Sequence, residues 1–235
     1  MQKVAFITGS SKGIGNAITK LLLKENYVVF GYSRTNTIKH QNFSFIKVDL
    51  SDLKETQKIS FPKLDVEEVV LINNAATIGK IVPLNLKHDE CIINEYNLNI
   101  VSPTILCRRF IKTFKENRKI IINVSSGASN SAIASWSTYC AAKSALDRLT
   151  DVIAVERHPN LNIFSVHPGV VDTQMQLEIR KTKPELFPLS SKFINYYDKN
   201  ILENTKIVAQ KFLYIIKNSN QYHQKILSIR DININ

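Results

Sequence analysis

A chain of 235 residues, 44% hydrophobic and 22% charged, has the composition of a globular protein with one large core rather than of a fibrous or disordered polymer. No apolar run is long enough to cross a bilayer, and the chain opens directly on Gln2-Lys3-Val4-Ala5-Phe6-Ile7 without a signal segment, so a cytoplasmic protein with no membrane partner is expected. The net charge of +11 is scattered, with no basic block interleaved with aromatics, which argues against nucleic acid and suits solvated charge that attracts a phosphorylated small molecule.

Lys3 to Thr8 form a short β-branched run that suits a buried parallel strand. Thr8-Gly9-Ser10-Ser11-Lys12-Gly13-Ile14-Gly15 follows, and then a helical pattern through Ala17, Ile18, Leu21 and Leu22. Strand, glycine-rich turn and helix in this order are the context of a dinucleotide site. Gly9 permits a tight turn, Gly13 a close approach of backbone to pyrophosphate, and Gly15 close helix–strand packing. The helix N-terminus presents free N–H groups to phosphate. Gly9, Ser11, Lys12, Gly13, Ile14 and Gly15 are therefore candidate cofactor-binding positions.

A second strand, Tyr27 to Tyr32, ends in Ser33-Arg34, where an acidic residue would hold the ribose hydroxyls of an NAD site. An arginine there matches a ribose 2′-phosphate by charge and donor geometry. With Lys12 nearby, the pattern favours NADP(H). Phe43 to Val48 give a third strand ending at Asp49-Leu50, beside which an adenine fits. Val69 to Ile72 give a fourth, followed by Asn73-Asn74-Ala75-Ala76, where Asn74 and Ala75 would let backbone run close to a cofactor.

Glu95 to Phe114 read as helical and carry Asn99. Ile120 to Val124 form a fifth strand leading into Ser125-Ser126-Gly127. A helix opening on Tyr139-Cys140-Ala141-Ala142-Lys143 then runs to about Arg157. Positions i and i+4 share a helix face, so the Lys143 ammonium is expected to favour the phenolate and lower a tyrosine pKa that ordinarily sits near ~10. Such a tyrosine exchanges protons with a carbonyl or alcohol oxygen. The same spacing also occurs by chance on many helix faces.

Asn162 to Val166 form a sixth strand, closed by His167-Pro168-Gly169-Val170-Val171-Asp172-Thr173. His167 reads as a local structural residue, and Cys140 points away from its neighbour Tyr139. Residues 174–200 have weak periodicity and contain Pro184 and Pro188, so a long irregular loop is expected, of the kind that serves as a lid. Glu203 to Ile216 read as a last helix and Lys225 to Ile229 as a seventh strand. Cys91, Cys107 and Cys140 have no metal-like spacing and read as reduced thiols, with no metal site. Strands alternating with helices predict an α/β protein: one doubly wound Rossmann domain over residues 1–235, with a parallel sheet of about seven strands and helices on both faces. The site is expected outside the carboxyl ends of the strands.

Taken together, Thr8-Gly9-x-x-x-Gly13-Ile14-Gly15, Asn73-Asn74-Ala75, Asn99, Ser126, Tyr139-x-x-x-Lys143 and Pro168-Gly169 resemble the short-chain dehydrogenase/reductase family across nearly the whole chain. Within it, Ser135 to Lys143 and Pro168 to Gln176 resemble the branch of sepiapterin and benzil reductases. The resemblance implies hydride reduction of a ketone or vicinal dicarbonyl by NADPH. It implies Tyr139 as proton donor, Lys143 on the nicotinamide ribose, Ser126 polarising the carbonyl (Ser125 being a second candidate), and Asn99 holding a relay water. It further implies Pro168, Gly169, Val170 and Thr173 as cofactor contacts and a homodimer or homotetramer. Asp172 is either a substrate anchor or a helix cap, and Trp136 either a substrate wall or packing. The alternatives are a reductase of another alcohol, sugar or acyl substrate, or a non-catalytic NADP-binding sensor. A sensor need not keep Ser126, Tyr139 and Lys143 together.

Overall fold

The computed structural model describes residues 2–234, within the single domain expected over 1–235. The most continuous apolar runs become the inner strands β1 (Lys3–Thr8), β4 (Glu68–Asn73) and β5 (Arg118–Val124). Val4 to Ile7, Val69 to Ile72 and Ile120 to Ile122 are buried throughout, as strands covered on both faces require. With β2 (Val28–Ser33), β3 (Phe43–Lys47), β6 (Leu161–His167) and the short β7 (Ile226–Ser228) they form one parallel sheet in the order β3-β2-β1-β4-β5-β6-β7. The register places Ile7 beside Gly31 and Ile72 and pairs Asn73 with Asn123. Strand order reverses between β1 and β4, so the crevice at their carboxyl ends is the topological switch point.

Helix α1 (Gly13–Lys24) is followed by the one-turn α2 (Leu53–Thr56), α3 (Asp89–Tyr96), α4 (Ser102–Thr113) and α5 (Ser137–Val155). After β6 come α6 (Gln174–Arg180), α7 (Ser190–Asp198) and α8 (Thr205–Lys217). One core layer joins Ile18 and Leu22 of α1 to Val208 and Phe212 of α8 against the sheet. The opposite layer sets Leu106 and Phe110 of α4 and Ile153 of α5 on Phe6, whose ring stacks on Phe30 at 5.1 Å. A third cluster gathers Ile78, Trp136, Tyr139, Ile179, Phe187 and Phe193.

Two expectations are corrected. Residues 174–200 are not irregular: Thr173 caps α6 by accepting a hydrogen bond from the Gln176 N–H, and α7 follows the turn that holds both prolines. Each helix is too short to display a clear period, which explains the weak signal. The helix expected over Glu95 to Phe114 is interrupted by a π-helical turn at Asn97–Val101, a distortion frequent at functional sites. Among the described residues no helix is long and apolar enough to cross a membrane.

Candidate active site

A cleft of about 1220 Å³ runs along the carboxyl ends of the strands. Its first half is shaped by backbone. Gly9 turns the chain at φ +67°, a conformation that side chains rarely adopt. A Cβ on Gly15 would stand 2.3 Å from the Gly9 carbonyl oxygen and 2.4 Å from Asn74 Nδ2, so helix, turn and fourth strand meet at a point where only glycine fits. Asn74 closes the junction by donating its amide to Thr8 O at 2.9 Å and Gly9 O at 3.2 Å. The Thr8 hydroxyl accepts from the N–H groups of Asn74 and Ala75, both at 2.9 Å. Ser11, Lys12, Gly13 and Ile14 line the cleft beside this turn, facing Val170 and Thr173 from the loop after β6.

At the end of β2, the Ser33 hydroxyl is held by Thr35 O at 2.8 Å. The Arg34 side chain is 71% exposed and reaches Asp49 at 3.8 Å. Burial raises the Asp49 pKa, but hydrogen bonds from Ser51 and the Arg34 charge outweigh it and hold the carboxyl below its usual value. Asp49 and Leu50 form the adjoining wall.

Ser126, Tyr139 and Lys143 meet at the middle of the cleft. The Ser126 hydroxyl accepts from the Ala128 N–H at 3.2 Å, and Tyr139 and Lys143 are buried on one face of α5. Lys143 Nζ lies 5.7 Å from the Tyr139 ring centre and donates to Val124 O at 2.7 Å. Burial pushes the Tyr139 pKa up to about 12, against the pull of its hydrogen bond with Ser126. The expected lowering by Lys143 is therefore not what governs the phenol; desolvation is larger. Burial also drives Lys143 down to about 8, partly opposed by the Asp147 carboxylate.

The second half of the cleft is walled by side chains. Trp136 stacks on Phe187 with ring centres 5.3 Å apart and planes 9° from parallel, and meets Tyr139 edge-on at 5.7 Å. Phe193 of α7 leans on both Trp136 and Phe187. Ile78, Ile133, Met175 and Ile179 complete an apolar chamber under α6 and α7.

A family model described as short chain dehydrogenase matches residues 3–184. The chain belongs to this family. Its similarity to Benzil reductase ((S)-benzoin forming) of Bacillus cereus is 33% identity over 227 residues, covering 88% of this chain and 91% of that protein. The corresponding figures for Sepiapterin reductase of Mus musculus are 28% over 242 residues, with 91% of each covered. A crystal structure of a short-chain dehydrogenase/reductase from Saccharomyces cerevisiae superposes with a TM-score of 0.84 at 22% identity, over 97% of this chain and 96% of that one, which supports the fold.

The short-chain dehydrogenase fold brings nearly all the residues singled out in the sequence to one cleft, including Pro168 and Gly169, but three stand apart. Gly15 lies beneath the turn as a packing residue. Asn99 is buried, and its side chain clamps Thr77, accepting from its N–H at 3.0 Å and donating to its carbonyl at 2.9 Å. Asp172 is exposed and outside the lining, and the cap of α6 is Thr173 instead. Ser126 is the serine whose hydroxyl pulls the Tyr139 pKa down against burial; Ser125 is buried and reaches Lys143 O at 3.3 Å. Trp136 serves packing and wall together. His167, read as a local structural residue, faces the cleft and bonds Asp147 at 2.9 Å. Asp147 belongs to no motif of the sequence, although its spacing from Lys143 repeats that of Lys143 from Tyr139.

Proposed function

We propose that this short-chain dehydrogenase is an NADPH-dependent carbonyl reductase acting on a ketone or vicinal dicarbonyl that carries an aromatic or similarly bulky apolar group. The observation that carries this reading is the convergence of Ser126, Tyr139 and Lys143 between a backbone turn open to phosphate and an aromatic chamber. A nicotinamide dinucleotide fits the first half of the cleft. The Gly9–Gly15 junction leaves no room for side chains where backbone must approach pyrophosphate, and Lys12 and Arg34 supply cations at the turn and at the end of β2, suited to a 2′-phosphate. A bound NADPH would supply the hydride that the carbonyl carbon accepts.

The chain's own residues then manage the oxygen. The Ser126 hydroxyl donates to the carbonyl oxygen, orients it and stabilises the negative charge that develops there. Tyr139 gives its phenolic proton to that oxygen, and the O–H bond of the product forms as the tyrosine O–H bond breaks. A phenol held near 12 by burial is fully protonated at neutral pH, which is the state a proton donor needs. Lys143 offsets the charge of the resulting tyrosinate. Trp136 and Phe193, backed by the fully buried Phe187, exclude water and offer flat surfaces to an aromatic ring. Similarity to proteins named benzil reductase and sepiapterin reductase supports the same substrate class.

The test is NADPH consumption with benzil, sepiapterin and simple diketones, compared between the wild type and Tyr139→Phe. The expected result is turnover that falls by a factor of about 10²–10⁴ in the variant while NADPH affinity is retained. Turnover that survives the substitution would remove Tyr139 as the acid. Failure to bind either nicotinamide cofactor would overturn the whole reading.

A further inference from the structure

Lys143 is buried, its Nζ bonds a main-chain carbonyl, and it makes no ion pair within 4.0 Å among the described residues. A lone buried ammonium loses its proton readily, yet the role given to Lys143 above needs it charged. One turn further along the same buried face of α5 stands Asp147. Its side chain is only 7% exposed and accepts hydrogen bonds from His167 Nε2 at 2.9 Å and from the Ser165 hydroxyl. The His167 side chain, 11% exposed, is in turn 3.4 Å from the Ser129 hydroxyl and faces the cleft.

The surroundings single out this pair. From α3, Glu95 faces α5, but it is neutralised by Lys87 at 2.6 Å and bonds Thr138. On α5 itself, Arg148 and Asp151 pair with each other near the surface. From β6 comes His167. Arg118 and Lys119 of β5 lie at the opposite end of the sheet, β7 carries no titratable residue, and neither does the π-helical turn. Asp147 is the remaining carboxylate able to act on Lys143.

We propose that Asp147 is the buried counter-charge that keeps Lys143 protonated during turnover, and that His167, donating from β6, is the positioning residue that holds this carboxylate in place. The inference rests on the role assigned to Lys143 in the proposed reductase. Hydrogen bonds from His167 and its neighbouring serines outweigh burial and hold the Asp147 pKa down to about 2, so the carboxylate is charged whenever the enzyme works. The Asp147 charge also raises the Lys143 pKa against burial.

Two measurements on the full chain separate this inference from the reductase reading. The first follows the Lys143 Nζ resonance against pH in protein carrying ¹⁵N-lysine, assigned by its disappearance in Lys143→Met, with no cofactor or turnover required. The second is the pH profile of NADPH-dependent ketone reduction. In Asp147→Asn the Lys143 titration and the alkaline limb of the profile should both move down by about one unit or more, with kcat reduced at neutral pH and KM for the ketone within about twofold. His167→Leu should shift both in the same direction by less, and His167→Gln, which keeps a donor, should restore them. If Asp147→Asn does not fold, the two His167 variants carry the test. An unmoved Lys143 titration in folded Asp147→Asn, or equal behaviour of His167→Leu and His167→Gln, would overturn the proposal. Absence of turnover in the wild type would sink the reductase reading, while the resonance would still decide the role of Asp147.

Discussion

The half of the cleft proposed for the cofactor is made largely by main chain, whereas the half proposed for the substrate is made by side chains. On one side Gly9, Gly15, Thr8 and Asn74 lock a turn, a helix and a strand end together through backbone contacts, the Thr8 hydroxyl and the Asn74 amide. On the other, Trp136, Phe187 and Phe193 come from three separate segments and pack ring against ring. A locked backbone turn suits the invariant part of a ligand, such as pyrophosphate. A side-chain chamber can change its shape by single substitutions and so belongs with specificity. If the division is real, damage to either half should leave the other intact.

The largest expected effect comes from Phe187→Ala. Phe187 is fully buried and stacked on Trp136, and truncating a core phenylalanine costs about 3–5 kcal/mol. Thermal unfolding should show that loss, and KM for an aromatic ketone should rise while NADPH affinity holds. A parallel fall in NADPH affinity would break the comparison.

Lys143→Met tests the point where the halves meet. Burial lowers the Lys143 pKa from 10.5 to about 8, a penalty on the charged form of about 3 kcal/mol, less about 1 kcal/mol for the hydrogen bond to Val124 O that the variant loses. Below pH 8 the ammonium is protonated in both folded and unfolded chains, and the folded state bears the full penalty. Between about 8 and 10.5 the folded chain has released the proton and the unfolded chain has not, so wild-type stability gains from this group as pH rises. The variant should therefore be more stable than the wild type at pH 7, should lack that rise in a denaturant titration across pH 8 to 10.5, and should lose turnover. A destabilised Lys143→Met would mean that the ammonium is better solvated than its burial implies.

Arg34→Ala should act on the cofactor half alone, and more gently. The guanidinium is mostly exposed and only loosely paired with Asp49, so a 2′-phosphate would gain one charge-assisted contact from it. We expect NADPH to bind about tenfold more weakly, about 1.4 kcal/mol, with NADH affinity unchanged. Equal losses for both cofactors would place Arg34 elsewhere than at the 2′-phosphate.

Sequence patterns made the first half far more readable than the second. Gly9 to Gly15 lie within one local motif, and the branched runs of β1, β4 and β5 signal burial on both faces. The chamber depends on contacts between residues as distant as Trp136 and Phe187, and α6 and α7 are too short for their periodicity to stand out. The Tyr139–Lys143 spacing put the two groups on one face of α5 but did not show their electrostatics, because burial, which dominates both groups, is a tertiary property. The Asp147 link to Lys143 was visible as one more four-residue step along α5. Its hydrogen bond to His167 joins separate elements and needed the fold.

Asp172 provides the smallest expected effect and the sharpest check on where the substrate half ends. Its side chain is exposed and makes no hydrogen bond or ion pair among the described residues; only its main-chain N–H is engaged, with Glu203 O at 3.1 Å. The neighbouring Thr173 supplies the cap that an aspartate at this position would otherwise offer. Asp172→Asn removes a charge while keeping size and backbone preference, so stability should change by no more than about 0.5 kcal/mol. KM for benzil and for sepiapterin should stay within about twofold. A selective rise in KM for sepiapterin alone would show that the loop before α6 moves on binding and carries Asp172 into the chamber. The boundary between the two halves would then be set by the bound substrate rather than by the resting fold.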